Sequence, residues 1–407
     1  MISWNSIDCF RGNHTDPKLV EHRDCPVCGA DRVREILSMS DFQFFSDRAD
    51  QPKRVDIRQV QCQKCFALYL DPAYSLQGFE ILFAEAGCSY GATAGRAQEQ
   101  LEWLSKNKLL EQNRSLLDVG CFEGRFLSMM PDTVKRIGVD IDGPAIERGR
   151  KNLAGKDVLL IQGDFNQVKL PMIPDTITMF HVLEHLPDPL STLKNLRNQS
   201  NEKTRLVVEV PILEKGFTND INGFFSVQHM THFSRASLSN ILQRAGWVIE
   251  DRLEQNGYNG CRVLCRPSNM RETVDITQDD CLTIEKYLEH YPKAVEAVCS
   301  SINQVPEIAR IVIWGGGLHT EFLYHWTNLF NSPGREFVII DKDPLKQGQS
   351  WRGINIYGPN ILNDIKDPNA FLVISSYANQ EEIGKEVEAN WHGGGKTLKL
   401  YNMINIY

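Results

Sequence analysis

The stretch Leu116-Leu117-Asp118-Val119-Gly120-Cys121-Phe122-Glu123-Gly124 decides the fold class of this chain. An apolar run ends in an acid and a glycine, and a second glycine follows four residues later, before a segment with a helical pattern. The next apolar run, Arg136–Ile141, has an acid, Asp140, near its end. This order predicts strand, tight turn, helix and strand, as in a doubly wound α/β sheet. We therefore expect Asp140 to lie where ligands of such sheets bind and to accept hydrogen bonds from ribose hydroxyls.

The spacing of the glycines indicates which kind of nucleoside-containing cofactor the loop is expected to bind. Dinucleotide sites favour G-x-G-x-x-G, because a pyrophosphate lies on the helix N-terminus. Here the pattern is Asp118-x-Gly120-x-x-x-Gly124, with bulky Phe122 inside the turn. A carboxylate at Asp118 suits a ligand with a cationic amino-acid end better than a diphosphate. The pattern resembles that of the class I S-adenosylmethionine-dependent methyltransferases, although Phe122 stands where this family usually has a small residue.

The resemblance covers roughly residues 90–265. It continues through Gly163-Asp164 after a third apolar run and through Phe180–His185 after a fourth. It implies S-adenosylmethionine as cofactor, with a methionine pocket near the glycines, ribose on Asp140, adenine near Asp164, and Tyr90 as a cover. Tyr90 could equally be a tyrosine of a surface loop. The implied cofactor residues are Tyr90, Asp118, Gly120, Gly124, Asp140 and Asp164.

Two Cys-x-x-Cys pairs, Cys25/Cys28 and Cys62/Cys65, precede this domain. Each pair can place two thiolates on one metal ion, and two pairs complete a tetrahedral zinc site. The alternating run Val55–Val60 suits a strand that leads into the second pair. We expect a closed, structural zinc site. A redox-active pair or four unlinked cysteines are the alternatives.

The second half of the chain carries another α/β pattern. Composition changes at Arg266–Asn269, and a helical stretch, Asp279–Gln304, follows. Apolar residues then lead into Gly315-Gly316-Gly317, and a later apolar run ends at Asp341. We also expect mainly helix between residues 70 and 113. The predicted fold class is α/β, with three parts: an N-terminal zinc-binding module (1–80), a Rossmann-like methyltransferase core (81–266) and a second, C-terminal Rossmann-like domain (267–407).

This layout resembles the zinc-containing deoxysugar C-methyltransferases, which act on nucleotide-linked sugars. In that family the C-terminal domain helps to hold the nucleotide-sugar, a role that would suit Gly315-Gly316-Gly317 and Asp341. The glycine loop could instead be a tight turn or a degenerate cofactor site. Thr320 stands where a dinucleotide fingerprint has its last glycine, which argues against NAD.

Composition excludes several classes of protein. The 407-residue chain is 42% hydrophobic and carries a formal net charge of −8, which argues against general binding to nucleic acid. No apolar stretch reaches the ~20 residues that span a bilayer, and a secretory signal pattern is absent. The odd number of cysteines, 11, favours reduced thiols. We therefore expect a cytoplasmic enzyme with a small-molecule acceptor and neither nucleic acid nor membrane as partner.

Two histidine groups could serve the chemistry. Methyl transfer requires an aligned acceptor, and a hydroxyl or acidic carbon also needs a base. His181–His185 lies on the cofactor side; its H-x-x-E-H spacing also occurs in zinc peptidases, but a strand precedes it and Pro187 follows, so the required helix is missing. The second group is Phe225–Ser234. In the sugar C-methyltransferases the matching segment resembles Tyr-His-Glu-His-x-x-Tyr-Phe-Ser, whose second histidine is the proposed base.

His229 matches that base. Here Ser226, Val227, Gln228 and His232 replace the Tyr, first His, Glu and second Tyr of the family segment. We predict His229 as base, with His181 and His232 as supporting donors, and either C- or O-methylation. The alternative for the histidines is that they only order a loop. At the level of the protein, the alternatives are a non-catalytic, cofactor-binding recruitment module and a methyltransferase for another small acceptor.

Overall fold

The computed structural model describes residues 2–7, 16–44, 53–83, 95–268, 278–393 and 395–404. Its N-terminal part contains a four-stranded antiparallel sheet and a short two-stranded one. The elements are β1 Val20–Glu21, β2 Val33–Phe44, β3 Lys53–Cys62, β4 Leu68–Leu70, β5 Ala73–Tyr74 and α1 Leu76–Phe83. Strands β2 and β3 form a long hairpin between the two cysteine pairs. The expected helix from residue 70 is wrong for Ala73 and Tyr74, because these residues pair with distant β1.

The central part is a seven-stranded sheet in the order β12-β13-β10-β9-β6-β7-β8. Strand β13 is antiparallel to β10 and β12, whereas β6 to β10 are mutually parallel. The order reverses beside β6, which pairs with both β7 and β9; this is the switch point where ligands bind. The elements are α2 Arg96–Lys106, β6 Ser115–Val119, α3 Arg125–Ser128, β7 Lys135–Asp140, α4 Gly143–Asn152, β8 Val158–Gln162, β9 Thr176–Phe180, α5 Pro189–Asn198, β10 Arg205–Pro211, β11 Thr231–His232, α6 Arg235–Arg244, β12 Trp247–Glu254 and β13 Gly260–Pro267.

Local sequence explains where these elements begin. Every residue of β6 is buried, as expected of a central parallel strand. Asp188 accepts a hydrogen bond from the Ser191 backbone and Pro189 occupies the first turn of α5. Ser234 forms a capping box at the start of α6. Short 3₁₀ turns at Leu183–His185 and Leu213–Lys215 link strands to the following segments.

The C-terminal part is a second Rossmann-like unit. Its six-stranded sheet has the order β16-β17-β15-β14-β18-β19, with β17, β15, β14, β18 and β19 parallel. The predicted α/β class with two Rossmann-like units is confirmed. The elements are α7 Gln278–Ile302, β14 Ile308–Trp314, α8 Leu318–Trp326, β15 Gly334–Ile340, β16 Ser350–Trp351, β17 Ile354–Tyr357, β18 Phe371–Ile374, α9 Gln380–Asn390 and β19 Lys396–Lys399, with a 3₁₀ turn at Pro359–Asp364.

The N-terminal hairpin and the C-terminal unit share one hydrophobic core. Phe42 and Phe44 of β2 are buried in the same cluster as Phe322 and Phe337. A buried ion pair joins the two parts as well, because Arg352 contacts Glu321 at 2.5 Å and Asp41 at 3.1 Å. Along the chain, the seven-stranded sheet is therefore inserted between two segments that pack on each other.

The N-terminal sheet also receives a strand from the central part. Strand β11, Thr231–His232, pairs antiparallel with β4. The histidine-rich segment before β11 is thereby attached to the N-terminal sheet. In the part of the chain that the structure describes, every helix is too short or too polar to cross a membrane.

Candidate functional site

The glycine-containing loop after β6 has the backbone that its sequence predicts. Gly120 has φ 76°, and a Cβ atom there would lie 2.3 Å from a Val182 methyl group. Gly124 has φ 72° and begins α3. Phe122, the departure from the family pattern, adopts φ 50° and is 39% exposed. The chain thus keeps the left-handed backbone at Phe122 that a glycine would favour, and the phenyl ring does not block the turn.

Asp140 at the end of β7 holds this loop and faces the switch point. Its Oδ2 accepts a hydrogen bond from the Phe122 backbone at 2.7 Å, and its Oδ1 accepts one from the Asp142 backbone at 2.9 Å. Each oxygen keeps a further lone pair for a ligand. Burial raises the pKa of Asp140 above its usual value, and hydrogen bonds from Asp142 and Phe122 oppose this.

Asp118 lies at the end of the neighbouring strand. It is buried, and the Thr178 hydroxyl donates to its Oδ1 at 2.7 Å. Burial raises the pKa of Asp118 to about 7, against the hydrogen bond from Thr178 and with a smaller contribution from Asp140. A buried carboxylate without a cationic partner gains from a positively charged ligand.

Asp164 follows β8 on the same edge of the sheet. Its Oδ1 accepts from the Asn166 backbone at 2.9 Å, and the adjacent Gly163 donates to the Asp140 carbonyl at 2.9 Å. The structure therefore brings Asp118, Asp140 and Asp164 together with the glycines at the carboxyl ends of three adjacent strands. The sixth predicted cofactor residue, Tyr90, lies outside the described residues.

His181, just after β9, is held between two carboxylates. Its Nδ1 lies 3.2 Å from Glu184 Oε1, and its Nε2 lies 3.2 Å from Glu209 Oε1 and contacts the Tyr258 hydroxyl. Burial would lower the pKa of His181, but the hydrogen bonds to Glu184 and Glu209 outweigh burial and raise it to about 9. His181 is therefore an imidazolium at neutral pH, suited to donate and unsuited to accept a proton.

Glu209 is the centre of a buried network that sequence reasoning missed. It accepts hydrogen bonds from Tyr258 at 2.7 Å, from Gln100 at 3.0 Å and from Arg262 at 2.5 Å. Burial would raise the pKa of Glu209, but the interactions with His181 and Arg262 lower it to about 2. The sequence Val208-Glu209-Val210 could have predicted this network, because a charged side chain inside a buried strand requires polar partners.

His229 lies in the loop before β11, beside His185. Their ring centroids are 4.8 Å apart, and the centroid of His232 is 6.1 Å from that of His229. Burial is the main reason why the pKa of His229 lies well below its usual value, and the neighbouring histidines lower it further. The imidazole is therefore neutral and keeps a lone pair on one ring nitrogen. His185 uses Nδ1 to contact the Gln228 carbonyl at 2.8 Å.

His232 belongs to the interior of the N-terminal sheet. It is buried in β11, and its Nε2 lies 2.9 Å from Gln59 Oε1. Burial lowers the pKa of His232 to about 3. Its ring packs against Phe224 and Phe225. The structure places His232 next to His229 but gives it a partner from β3, so its predicted role as a donor to the acceptor stays a prediction.

The four predicted zinc ligands lie together. Cys25 and Cys65 have sulfur atoms 3.5 Å apart, as have Cys28 and Cys62, and all four sulfurs lie within 4.8 Å of one another. In a tetrahedral site with Zn–S bonds of ~2.3 Å the sulfurs would be about 3.8 Å apart. These four residues, named here the four-cysteine cluster, fit a zinc ion.

The C-terminal loop Gly315–Gly317 lies at the start of α8. The Gly316 backbone donates to Asp341 Oδ2 at 2.7 Å, and Lys346 Nζ lies 3.5 Å from the same oxygen. Thr320 donates its hydroxyl to the Gly315 carbonyl at 2.5 Å, which closes the turn. The loop and Asp341 thus meet at the end of β14 and β15, as the sequence predicts.

Residues 93–251 match a family described as a methyltransferase domain. This part of the chain is therefore similar to methyltransferase domains. The match lies on the glycine-containing loop, the acid-ended strands and the histidine segment. The match supports the predicted similarity of this domain to the S-adenosylmethionine-dependent methyltransferases, and the four-cysteine cluster precedes it.

Similar proteins include the mitochondrial ubiquinone biosynthesis O-methyltransferase of Schizosaccharomyces pombe, 28% identical over 160 residues, 34% of this chain and 56% of that protein. This chain therefore spans little more than half of that relative. Among solved structures, the 1,6-didemethyltoxoflavin-N1-methyltransferase of Burkholderia thailandensis, which contains S-adenosylhomocysteine, is 14% identical with TM-score 0.39, covering 51% of this chain and 99% of that one. An S-adenosylmethionine-dependent methyltransferase of Clostridium acetobutylicum is 11% identical with TM-score 0.36, covering 47% and 96%.

Proposed function

We propose that this protein transfers the methyl group of S-adenosylmethionine to a small-molecule acceptor. The observation that carries the proposal is the group of Asp118, Asp140 and Asp164 around the turn at Gly120, at the carboxyl ends of adjacent parallel strands. Asp140 would bind the ribose hydroxyls, Asp164 the adenine side, and Asp118 would favour the cationic methionine end. Together with Gly124 these groups would fix the sulfonium, so that positioning supplies much of the rate.

The acceptor that we propose is a nucleotide-linked sugar. The three-part layout, with the four-cysteine cluster before the domain and a Rossmann-like unit after it, supports this choice. The turn at Gly315–Gly317 with Asp341 offers backbone and carboxylate groups to a sugar or nucleotide. A related small biosynthetic intermediate is the alternative acceptor.

His229 is the base that we propose. Its imidazole is neutral and lies beside His185 of the turn that follows β9. The preceding residue, Gln228, has an amide and cannot serve as a base. His181, fixed as an imidazolium between Glu184 and Glu209, would act as a positive charge near the acceptor. His232 would order the segment. A base would serve both an acidic carbon and a hydroxyl, so C- and O-methylation both fit.

Zinc in the four-cysteine cluster would be structural. Four thiolates complete the coordination of the ion and leave no position for a substrate. The cluster requires reduced thiols, which supports our proposal that the protein works in the cytoplasm.

The test compares His229→Ala with His392→Ala, a matched loss of an exposed histidine in the C-terminal unit. Methyl transfer from labelled S-adenosylmethionine to a panel of nucleotide-linked keto-sugars is measured beside cofactor affinity by calorimetry. We expect both variants to bind cofactor like the parent and His229→Ala alone to lose about 10²–10⁴-fold in kcat. Cofactor binding without transfer to any acceptor would favour the recruitment module instead.

Hydrogen exchange with deuterated solvent distinguishes C-methylation from O-methylation. Carbon methylation requires deprotonation before transfer, so deuterium from solvent should enter the acceptor carbon in the absence of cofactor. An O-methyltransferase would show none of this exchange. Full activity of His229→Ala would mean that positioning alone suffices or that the base lies elsewhere.

A further inference from the structure

Glu184, His185 and His229 form a second group of metal-ligating side chains. One carboxylate oxygen and two imidazole nitrogens lie within 4.8 Å of one another. We propose that these residues, named here the HHE cluster, bind a divalent cation such as Zn²⁺, Co²⁺ or Fe²⁺. Two imidazoles with one carboxylate and open positions form a familiar donor set for such ions. The site would be separate from the four-cysteine cluster, which has only thiolate ligands.

Glu184 provides independent evidence that a cation binds at this cluster. The residue is 1% exposed, and its Oε1 is engaged by His181 at 3.2 Å. Its Oε2 is buried and has no hydrogen-bond partner among the described residues. A buried carboxylate oxygen without a partner is costly, and each such atom in a folded protein requires an explanation. A bound cation would satisfy Oε2 while His181 keeps Oε1.

His185 is held in the tautomer that a metal requires. Its Nδ1 lies 2.8 Å from the Gln228 carbonyl oxygen, which can only accept, so Nδ1 carries the proton. The lone pair is then on Nε2, which lies 4.0 Å from Glu184 Oε1. A backbone carbonyl that fixes one ring nitrogen while the other binds metal is the usual outer support of histidine ligands.

The third ligand comes from a different segment. Glu184 and His185 belong to the 3₁₀ turn after β9, whereas His229 belongs to the loop before β11. The two imidazole rings meet edge to face, with centroids 4.8 Å apart. A cation would therefore connect the cofactor-side turn with the segment that β11 attaches to the N-terminal sheet.

The consequence for the reaction rests on the proposed function. Three protein ligands leave a coordination position for an acceptor oxygen, and a bound cation favours the ionised form of that oxygen. The cation would take the lone pair with which His229 would otherwise accept a proton. His229 would therefore act as the base in metal-free protein, whereas in metal-loaded protein the cation would promote loss of the acceptor proton to solvent. Metal binding itself can be measured without any acceptor.

The experiment titrates Co²⁺ into the full chain and follows its absorption. Co²⁺ in the four-cysteine cluster gives a thiolate charge-transfer band in the near ultraviolet as well as visible bands, whereas Co²⁺ on imidazole and carboxylate gives visible bands only. The signal of the second site is therefore the visible absorption that continues to rise after the thiolate band has saturated. We expect the parent to show both signals. Glu184→Gln and His229→Ala should keep the thiolate band and weaken binding at the second site more than about 100-fold, since even outer-shell losses cost 10–100-fold.

His392→Ala serves as the control and should bind Co²⁺ at both sites as the parent does. The thiolate band and circular dichroism report whether each variant is folded. The proposal is overturned if the parent lacks the second signal, or if folded Glu184→Gln and His229→Ala both retain it. The parent could lack the second signal while His229→Ala still loses turnover. That result would overturn the metal site but leave the proposed methyltransferase function and its base intact, so the two failures are distinguishable.

Discussion

Replacing Asp140 by alanine is the sharpest test of the cofactor site. The carboxylate already accepts the Phe122 and Asp142 backbone N–H groups, and the proposed ribose hydroxyls would use its remaining lone pairs. Hydrogen bonds to a charged group contribute about 1.5–3 kcal/mol. We therefore expect the Kd of S-adenosylmethionine, measured by isothermal titration calorimetry, to rise about 10- to 150-fold.

The same substitution disturbs the loop itself, so a control is needed. Asp142→Ala removes the carboxylate that caps α4 through the Ala145 backbone at 2.9 Å, but leaves Asp140 intact. Losing this cap should cost about 1 kcal/mol of unfolding free energy with little change in affinity. Unchanged affinity in folded Asp140→Ala would refute the ribose contact. An equal loss of affinity in both variants would show that the order of the loop, and not the carboxylate, controls binding.

Three further predictions follow from charges and thiols described above. Metal analysis of protein purified without chelator should find a tightly held zinc in the four-cysteine cluster, and its removal should loosen the N-terminal module while cofactor binding persists, because a closed site does not take part in binding. Because burial raises the pKa of Asp118 to about 7, cofactor affinity should increase from pH 6 to pH 8 with release of a proton, and Asp118→Asn should abolish both effects in calorimetry. Arg352→Met should cost about 3–5 kcal/mol in denaturant unfolding, because buried Glu321 loses its guanidinium partner and keeps only its contacts to His325, Trp351 and the Gln43 backbone. Arg310→Ala on an exposed pair should cost at most about 1 kcal/mol.

Local sequence predicted most of the parallel strands. The apolar runs at Leu116–Val119 and Arg136–Ile141 match the strands Ser115–Val119 and Lys135–Asp140, because each run is short, largely buried and bounded by turn residues. The cofactor-side acids were also predictable, since an acid that ends a parallel strand reaches the switch point. The grouping of the four cysteines was predictable from their spacing alone.

Contacts between distant segments could not be predicted in the same way. The pairing of β11 with β4 depends on a tertiary arrangement that a local period does not contain. The network at Glu209 collects partners from α2, β13 and the loop between β12 and β13, and only its centre was visible as a charge in an apolar strand. For the same reason the HHE cluster, which joins two segments, was not evident from its residues in sequence.

The core shared by β2 and the C-terminal unit has a consequence for synthesis of the chain. Phe42 and Phe44 lie in one cluster with Phe322 and Phe337, which are made much later. At translation rates of ~5–20 residues per second, the hairpin would wait roughly 15 to 60 seconds for its partners. During that time an apolar hairpin leaves the ribosome while the methyltransferase domain folds after it. We therefore expect that newly made chains engage chaperones through β2, and that slowing translation lowers the yield of folded protein.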